Sequence, residues 1–160
     1  MPFRASNVTA ANEVDAQAAY ESQMALWGAL TGGAHLLNHA AGWLHGGLTA
    51  SFEKLILDAE MLQMMDAYFE PMATDPGALA LDAILEAGAG GHFFGTAHTM
   101  ARYEKAFHTP MLSNWDNHPQ WLSKGSIDAR SRANTVWKDL LAAHEDPPLD
   151  PGIDEALTAY

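Results

Sequence analysis

The chain has 160 residues, of which 48% are hydrophobic and 18% charged, and this balance is typical of one folded domain rather than a disordered segment. Its formal net charge of −12 would repel nucleic-acid phosphates, and no Lys/Arg cluster offsets that repulsion, so we expect no nucleic-acid partner. The lack of cysteine excludes disulfides, thiolate metal sites and cysteine nucleophiles. Because no apolar run reaches the roughly 18 to 20 residues of a membrane span, we expect a cytoplasmic protein with no membrane partner.

The first 41 residues predict a strand, a helix and a second strand. Residues 2–6 form a short apolar run, and a helix with a small apolar side follows over about residues 15–29. That helix stops at Gly32-Gly33, after which residues 34–41 predict a buried strand. This order of elements is typical of a parallel βαβ unit.

The next segment predicts a glycine-rich turn over residues 42–47 and a second helix, with Thr49 or Ser51 as its N-cap. This helix is expected to end near residues 69–71. Its successive turns are traced by Phe52, Leu55, Ile56, Ala59, Leu62, Gln63 and Asp66.

A third strand–loop–helix unit is predicted in the middle of the chain. Asp75-Pro76 is a strong helix start, and a helix over residues 79–87 ends at Gly88. Residues 92–94 then predict a strand, followed by a turn and a helix through residues 103–107.

The last part predicts a Trp-rich connection over residues 110–125 and a helix over about residues 127–144, which Pro147-Pro148 breaks. A final helix opens with an Asp-Pro cap and reaches the last residue without a C-terminal signal. About three parallel strands could neither close a barrel nor protect both sheet edges. We therefore expect residues 1–160 to be one partial domain of a larger (β/α) protein.

Four segments, taken together, resemble the C-terminal part of the trimethylamine methyltransferase family. One is GGAHLLNHAAGWLHGGLTASFEKLILDAEM at residues 32–61, and another is GAGGHFFGTAHT at residues 88–99. The other two are residues 6–21 and the tail of residues 121–157, with Ala133-Asn-Thr-Val-Trp137 and Pro147-Pro-Leu-Asp-Pro151. Each piece alone is weak, but the four occur in the family's order.

The resemblance implies an α/β fold, the C-terminal part of a (β/α)8 TIM barrel, with about three strand–helix units plus C-terminal helices in an incomplete barrel. It implies transfer of a methyl group from a methylamine or quaternary amine to the cobalt of a corrinoid (cobalamin). That corrinoid is carried by a partner protein and is not bound covalently to this chain. No pyrrolysine occurs in the sequence, which favours the branch that uses glycine betaine or related quaternary amines. Whether the protein is a homo-oligomer stays open.

The chemistry of this branch requires residues that hold and orient a cation. A quaternary nitrogen already departs as a neutral tertiary amine when its methyl group is attacked, so no group must protonate it first. In-line orientation of the reactants can supply a large share of the rate enhancement. We therefore expect substrate clamps rather than a nucleophile.

In a barrel, the site lies at the carboxyl ends of the strands and in the loops that follow them. This rule selects as substrate-binding candidates His39, Trp43, His92, Phe94 and His98. Further candidates at the barrel mouth are Asp15, Gln17, His45, Glu53 and Thr96. Each has a structural alternative. His35 and His39 can be core histidines, Trp43 a loop anchor and Phe94 core packing, while Asp15 and Glu53 are most simply helix-capping carboxylates.

Eight histidines raise the alternative of a metal-dependent barrel hydrolase. The sequence has no His-x-His or His-Glu-x-x-His pattern, and residues four apart on a strand are about 13 Å apart, too far to share one ion. We expect no metal ligands. A third alternative is a catalytically incomplete fragment.

Overall fold

The structure is a computed structural model that describes residues 1–145 and 148–160. It is a mixed α/β chain in which helices dominate. In chain order the strands and helices are β1 (Arg4–Ser6), α1 (Ala16–Thr31), β2 (Leu36–Asn38), β3 (Trp43–Leu44), a 3-10 turn (His45–Gly47), β4 (Thr49–Ala50), α2 (Phe52–Phe69), α3 (Pro76–Leu79), α4 (Leu81–Ala87), α5 (Ala97–Met100), α6 (His118–Ser123), α7 (Ala129–Ala142) and α8 (Pro151–Thr158).

The predicted βαβ unit is present at the N-terminus. Strands β1 and β2 pair in parallel, with Arg4 opposite Leu36 and Ser6 opposite Asn38. The Asp15 carboxylate accepts the first-turn N–H groups of α1, as an N-cap does. The predicted small face of α1 is confirmed, since its buried residues are Ala18, Ser22, Leu26 and Ala29.

Helix α2 begins after Ser51, whose hydroxyl accepts the Lys54 N–H, which confirms Ser51 rather than Thr49 as the N-cap. The stripe that faces inward differs from the predicted one, because Phe52 and Leu55 are 55% and 42% exposed. The buried positions spaced by helical turns are Lys54, Asp58, Met61 and Met65. Two of these four side chains are charged, and they neutralise each other in the interior.

Helix α7 packs against α2, and this contact contributes to a second buried cluster of the core. Ile56 of α2, Leu112 and Ala133 of α7 form a buried apolar cluster. Beside it the rings of Phe52 and Trp137 stack with centroids 4.9 Å apart. The buried carboxylate of Glu60 accepts hydrogen bonds from the backbone of residues 112–113 and from the Ser113 hydroxyl, and thereby fastens this segment to α2.

The predicted strand over residues 34–41 is shorter and more exposed than expected. Only Leu36–Asn38 pairs, and Leu36 is 56% exposed. Left-handed backbone at Gly33 (φ +73°) and His39 (φ +48°) ends the ladder on both sides. The predicted glycine-rich turn is part of a small antiparallel hairpin, in which Trp43 of β3 pairs with Ala50 of β4.

The predicted third strand was wrong. In the described chain, residues 92–94 form no strand, and Phe94 is 82% exposed. Among the described residues, no neighbouring strand lies beside them to supply the backbone hydrogen bonds that would stabilise one. The sheets seen in residues 1–145 and 148–160 are two-stranded. They form no closed barrel, and the (β/α)8 architecture stays a prediction.

The helices beyond residue 75 agree with the sequence in part. Asp75 caps α3 as predicted, but left-handed Ala80 (φ +53°) separates α3 from α4. The helix predicted through residues 103–107 was wrong, since α5 ends at Met100 and turns follow.

The Trp-rich connection contains α6, α7 lies within the predicted range of residues 127–144, and α8 begins at the predicted Asp-Pro cap. Asp128 caps α7, and Asp150 with Pro151 opens α8. Helix α7 ends at Ala142. Pro147 lies outside the described residues, so the break predicted at Pro147-Pro148 stays a prediction.

None of the helices in the described ranges is both long and apolar enough to cross a membrane.

We predict that Glu60→Gln lowers the free energy of unfolding by about 2–3 kcal/mol, because an amide N–H₂ replaces one acceptor oxygen opposite buried N–H and O–H donors. Urea denaturation followed by circular dichroism measures this loss. Glu86→Gln, at an exposed position of α4, is the matched control and should change stability by less than about 0.5 kcal/mol. Equal stabilities of the two variants would contradict the role assigned to Glu60.

Candidate functional site

The site begins where the two parallel strands end. The carboxyl ends of β1 and β2 lie at the same edge, because the strands pair in parallel with Ser6 opposite Asn38. His39 follows β2 directly, and a hydrogen bond of 3.4 Å joins its Nδ1 to the Ser6 hydroxyl. His39 is exposed at this edge, so its structural alternative, a core histidine, is wrong.

His39 and Trp43 form an aromatic pair at this edge. Their ring centroids are 5.5 Å apart and their planes are inclined by 86°, an edge-to-face arrangement. The left-handed backbone of His39 (φ +48°) turns the chain out of the strand. Non-glycine residues adopt this conformation at a cost, and functional loops are a common place to find it.

The backbone around Trp43 is held by three different parts of the chain. The Thr9 hydroxyl donates to the Trp43 carbonyl at 2.8 Å. The Gly42 N–H donates to the Asp58 carboxylate at 2.9 Å, and the Ser51 N–H donates to the Gly42 carbonyl at 2.9 Å. Gly42 has φ +90°, a conformation that only glycine adopts without strain.

An apolar cavity of about 170 Å³ lies beside this loop. Its largest lining side chains are Trp43, Phe52 and Leu55. Two aromatic rings in an apolar wall suit the methyl groups of a methylated ammonium, which binds aromatic faces through the ring quadrupole.

Three residues predicted at the barrel mouth, Asp15, Gln17 and His45, form structural hydrogen bonds. Asp15 caps α1, as its structural alternative predicted. Gln17 Nε2 donates to Glu21 at 2.7 Å, and the other oxygen of Glu21 accepts the Ala10 N–H at 2.7 Å. The hydrogen bond from Gln17, together with the backbone N–H groups, holds the pKa of the Glu21 carboxyl below its usual value. His45 joins the hairpin to the segment before α1, since its ring nitrogens lie 2.8 Å from the Thr49 hydroxyl and 3.1 Å from the Asn12 carbonyl.

Glu53 joins α2 to α7. One carboxylate oxygen accepts from Asn134 at 2.6 Å and from the Trp137 indole at 3.0 Å. The other accepts from the Ser51 hydroxyl at 3.0 Å, the capping relationship that the sequence suggested. The hydrogen bonds from Asn134 and Trp137 lower the pKa of Glu53 to about 2, so this carboxylate stays ionised at neutral pH.

The candidates from the middle of the chain form a second group. The rings of His92 and Phe94 are 5.6 Å apart, and His98 Nε2 lies 3.0 Å from the Gly77 carbonyl. Thr96 is buried and caps α5 by accepting the Thr99 N–H. Across residues 1–145 and 148–160, no hydrogen bond or ring contact links this group to His39 or Trp43. The roles predicted for both groups stay predictions.

Two features of the site escaped the sequence analysis. Asn7 is fully buried and donates to the Ala40 carbonyl at 2.8 Å, and its Oδ1 has no partner in the part of the chain that the structure describes. Since Asn7 and Thr9 follow β1 directly, the rule that selected His39 would also have selected them. The second feature is the buried pair Lys54–Asp58, whose only signal was opposite charges four residues apart on a helix.

Among the residues that the structure describes, no three His, Asp or Glu side chains lie close enough together to hold a metal ion.

Comparison with known proteins gives a family match over the whole chain. The family model described as "Trimethylamine methyltransferase (MTTB)" matches residues 1–160. The glycine betaine methyltransferase of Desulfitobacterium hafniense (strain Y51) is 37% identical over 147 residues, which are 92% of this chain and 30% of that protein. The trimethylamine methyltransferase MttB2 of Methanosarcina mazei is 29% identical over 91% of this chain and 29% of its own length.

Coverage is similar for a third relative. Trimethylamine methyltransferase MttB of Methanosarcina thermophila is 26% identical over 98% of this chain and 32% of its own length. The chain thus spans about 30% of the length of the curated relatives that it matches.

The lowered pKa of Glu53 predicts a pH-dependent contribution to stability. Because the folded pKa of about 2 lies below the unfolded value, the contribution is complete above about pH 4.5 and is lost as the pH falls towards 2. Glu53→Gln should therefore lower the free energy of unfolding by about 1–2 kcal/mol at pH 7. The difference from the parent protein should vanish near pH 2.

Urea denaturation between pH 7 and pH 2 measures this difference. The control is Glu13→Gln, which removes an exposed ion pair with Arg130 and should change stability by less than about 1 kcal/mol at pH 7. A pH-independent effect of Glu53→Gln would show that the charge of Glu53 is not what joins α2 to α7.

Proposed function

The chain belongs to the trimethylamine methyltransferase family, and we propose that the protein transfers a methyl group from a quaternary or tertiary methylamine to the cobalt of a corrinoid carried by a partner protein. The observation that carries the proposal is the His39–Trp43 aromatic pair at the carboxyl ends of β1 and β2, in a chain that the family model matches from end to end. The (β/α)8 barrel of the complete enzyme belongs to the same proposal.

A quaternary amine of the glycine betaine type is the substrate that we favour. The glycine betaine methyltransferase named above is more similar to this chain, at 37% identity, than the two trimethylamine methyltransferases, at 29% and 26%. The formal charge of −12 also favours a cationic ligand over an anionic one, although weakly.

The residues around the loop suit a reaction that depends on positioning. When bound, a corrinoid would supply the nucleophile that accepts the methyl group, and the C–N bond would break so that its electron pair stays on nitrogen. With a quaternary substrate the leaving group is a neutral tertiary amine, which requires no proton. The carboxylates of Asp15, Glu21 and Glu53 accept structural hydrogen bonds. The proposed reaction requires no proton transfer from them.

In this proposal Trp43 holds the methylated ammonium and His39 fixes the Trp43 ring. Contact of a cation with a tryptophan face is worth about 0.5–2 kcal/mol, depending on how far water is excluded. The hydrogen bonds of Gly42 and Trp43 to three separate segments set the loop before the substrate arrives. Such preorganisation reduces the ordering that binding would otherwise require.

We predict that Trp43→Leu weakens binding of glycine betaine by roughly 2- to 30-fold, as expected from loss of the cation–π contact. Isothermal titration calorimetry measures the dissociation constant. The matched control is Trp115→Leu, which removes an exposed tryptophan outside the site and should leave the constant unchanged. The carbon isostere 3,3-dimethylbutanoate keeps the carboxylate of glycine betaine but has an uncharged carbon in place of the quaternary nitrogen. It should bind the parent protein more weakly than glycine betaine and should lose little affinity in Trp43→Leu.

The reaction itself is tested by incubating the protein with a reduced corrinoid protein and following the visible absorbance of the corrinoid. Transfer should be faster from glycine betaine than from trimethylamine. The proposal fails if no methylated amine supports transfer, and the choice of substrate fails if trimethylamine is preferred.

A further inference from the structure

A buried ionic group lies beneath the Trp43 loop, which we define as residues 39–44. The Lys54 ammonium lies 2.5 Å from each carboxylate oxygen of Asp58 and donates to the Ser22 hydroxyl at 2.7 Å. Lys54, Asp58 and Ser22 are all fully buried. The reaction proposed above uses none of the three.

Stability is a weak explanation for this group. Moving two charges from water into the interior is unfavourable, and apolar side chains of similar size often replace such pairs without loss of stability. Helix α2 already packs on both sides through apolar residues such as Ile56 and Met61. The location of the pair therefore points to what it holds in place.

Asp58 carries the contact that leaves this group. Its Oδ2 accepts the N–H of Gly42 at 2.9 Å, and the next residue is Trp43. Gly42 is buried and has a left-handed backbone, so its N–H has one defined direction. The Lys54 ammonium holds the Asp58 carboxylate through both oxygens, and its hydrogen bond to the Ser22 hydroxyl ties the pair to α1.

We infer that Asp58, fixed by Lys54 and Ser22, is a positioning residue that sets the Trp43 loop. The role in substrate binding rests on the proposed function, whereas the role in loop geometry does not. Two other anchors, Thr9 on the Trp43 carbonyl and Ser51 on the Gly42 carbonyl, remain when Asp58 is changed. Loss of the Asp58 contact therefore shifts the loop without detaching it.

Two double variants separate the acceptor from the charge. Lys54→Met with Asp58→Asn removes both charges but keeps an oxygen that can accept the Gly42 N–H. Lys54→Met with Asp58→Leu has a similar volume and no acceptor. A purely structural role for the pair predicts that the leucine variant is at least as native-like as the asparagine variant. A positioning role predicts the opposite for Trp43.

Fluorine NMR of protein labelled with 5-fluorotryptophan reads the loop directly, with each resonance assigned by a Trp→Phe variant. In the asparagine variant, which keeps the acceptor for the Gly42 N–H, the Trp43 resonance should lie closer to its parent position than in the leucine variant. In the leucine variant it should shift or broaden, while Trp137, in the α2–α7 contact, stays unchanged in both. The leucine variant should also bind glycine betaine about tenfold more weakly than the asparagine variant.

The inference is overturned if Trp43 has the same resonance in both variants, or if Trp137 moves together with Trp43. Should neither variant fold, hydrogen exchange of the parent protein decides. The Gly42 amide should exchange as slowly as the core amides of α2, and exchange near the unprotected rate would overturn the inference.

The binding experiment separates this inference from the proposed function. If the parent protein binds no methylated ammonium but the Trp43 resonances differ as expected, the positioning role stands and the proposed function fails. If glycine betaine binds equally to both variants and their resonances coincide, the proposed function stands and the positioning role fails.

Discussion

The contact between the buried charges of Lys54 and Asp58 is the constraint on which the arrangement of the N-terminal half depends. Both side chains belong to α2, but their remaining hydrogen-bonding capacity is used by Ser22 of α1 and by the N–H of Gly42. A buried ion pair is tolerated only when its other donors and acceptors find partners. That requirement fixes both the distance between α1 and α2 and the position of the Trp43 loop. The small face of α1 is the complement, since Ser22 can approach Lys54 only where no bulky side chain intervenes.

The loop at the strand ends is held by side chains that contact its backbone, in addition to the short pairing of β3 with β4. Asn7 binds the Ala40 carbonyl, Asp58 the Gly42 N–H and Thr9 the Trp43 carbonyl. Each contact comes from a different part of the chain, so the loop conformation is determined more than once. Such redundancy allows His39 to keep a left-handed backbone, because strained residues persist where the surroundings over-determine them.

Local signals in the sequence predicted well where several helices begin. Asp15, Ser51, Asp75 and Asp150 cap the helices that the sequence placed after them, because a capping side chain needs only the N–H groups two or three residues ahead. Strands depend on partners that are distant in sequence. Residues 92–94 have the composition of a strand, yet the described chain gives them no neighbour to pair with, and the predicted third unit did not form.

The inward face of α2 and the separation of the candidate residues into two groups could not be predicted either, because both depend on contacts between residues that are distant in sequence. Hydrophobic periodicity gives little reason to place charged residues in the core, and the predicted stripe left out Lys54 and Asp58 although both are fully buried. Only the position of Ser22 and Gly42, which are distant in sequence, reveals that the charges have partners. The barrel rule placed His39 and Trp43 at one edge, where the structure brings their rings together. The same rule selected His98 around the predicted third strand, and in the structure His98 contacts the Gly77 carbonyl.

The proposed reaction at the Trp43 loop would depend on fixed geometry more than on charge. The carboxylates closest to the loop in the hydrogen-bond network are occupied, with Asp58 bound to Lys54 and Glu53 bound to Asn134 and Trp137. A quaternary ammonium has no N–H to donate to a carboxylate, and its methyl groups gain little from contact with hydrated charges. Aromatic faces attract such a cation without requiring that it lose hydrogen bonds. A rigid apolar wall, held by buried charges that do not touch the ligand, is therefore a consistent way to bind this substrate class.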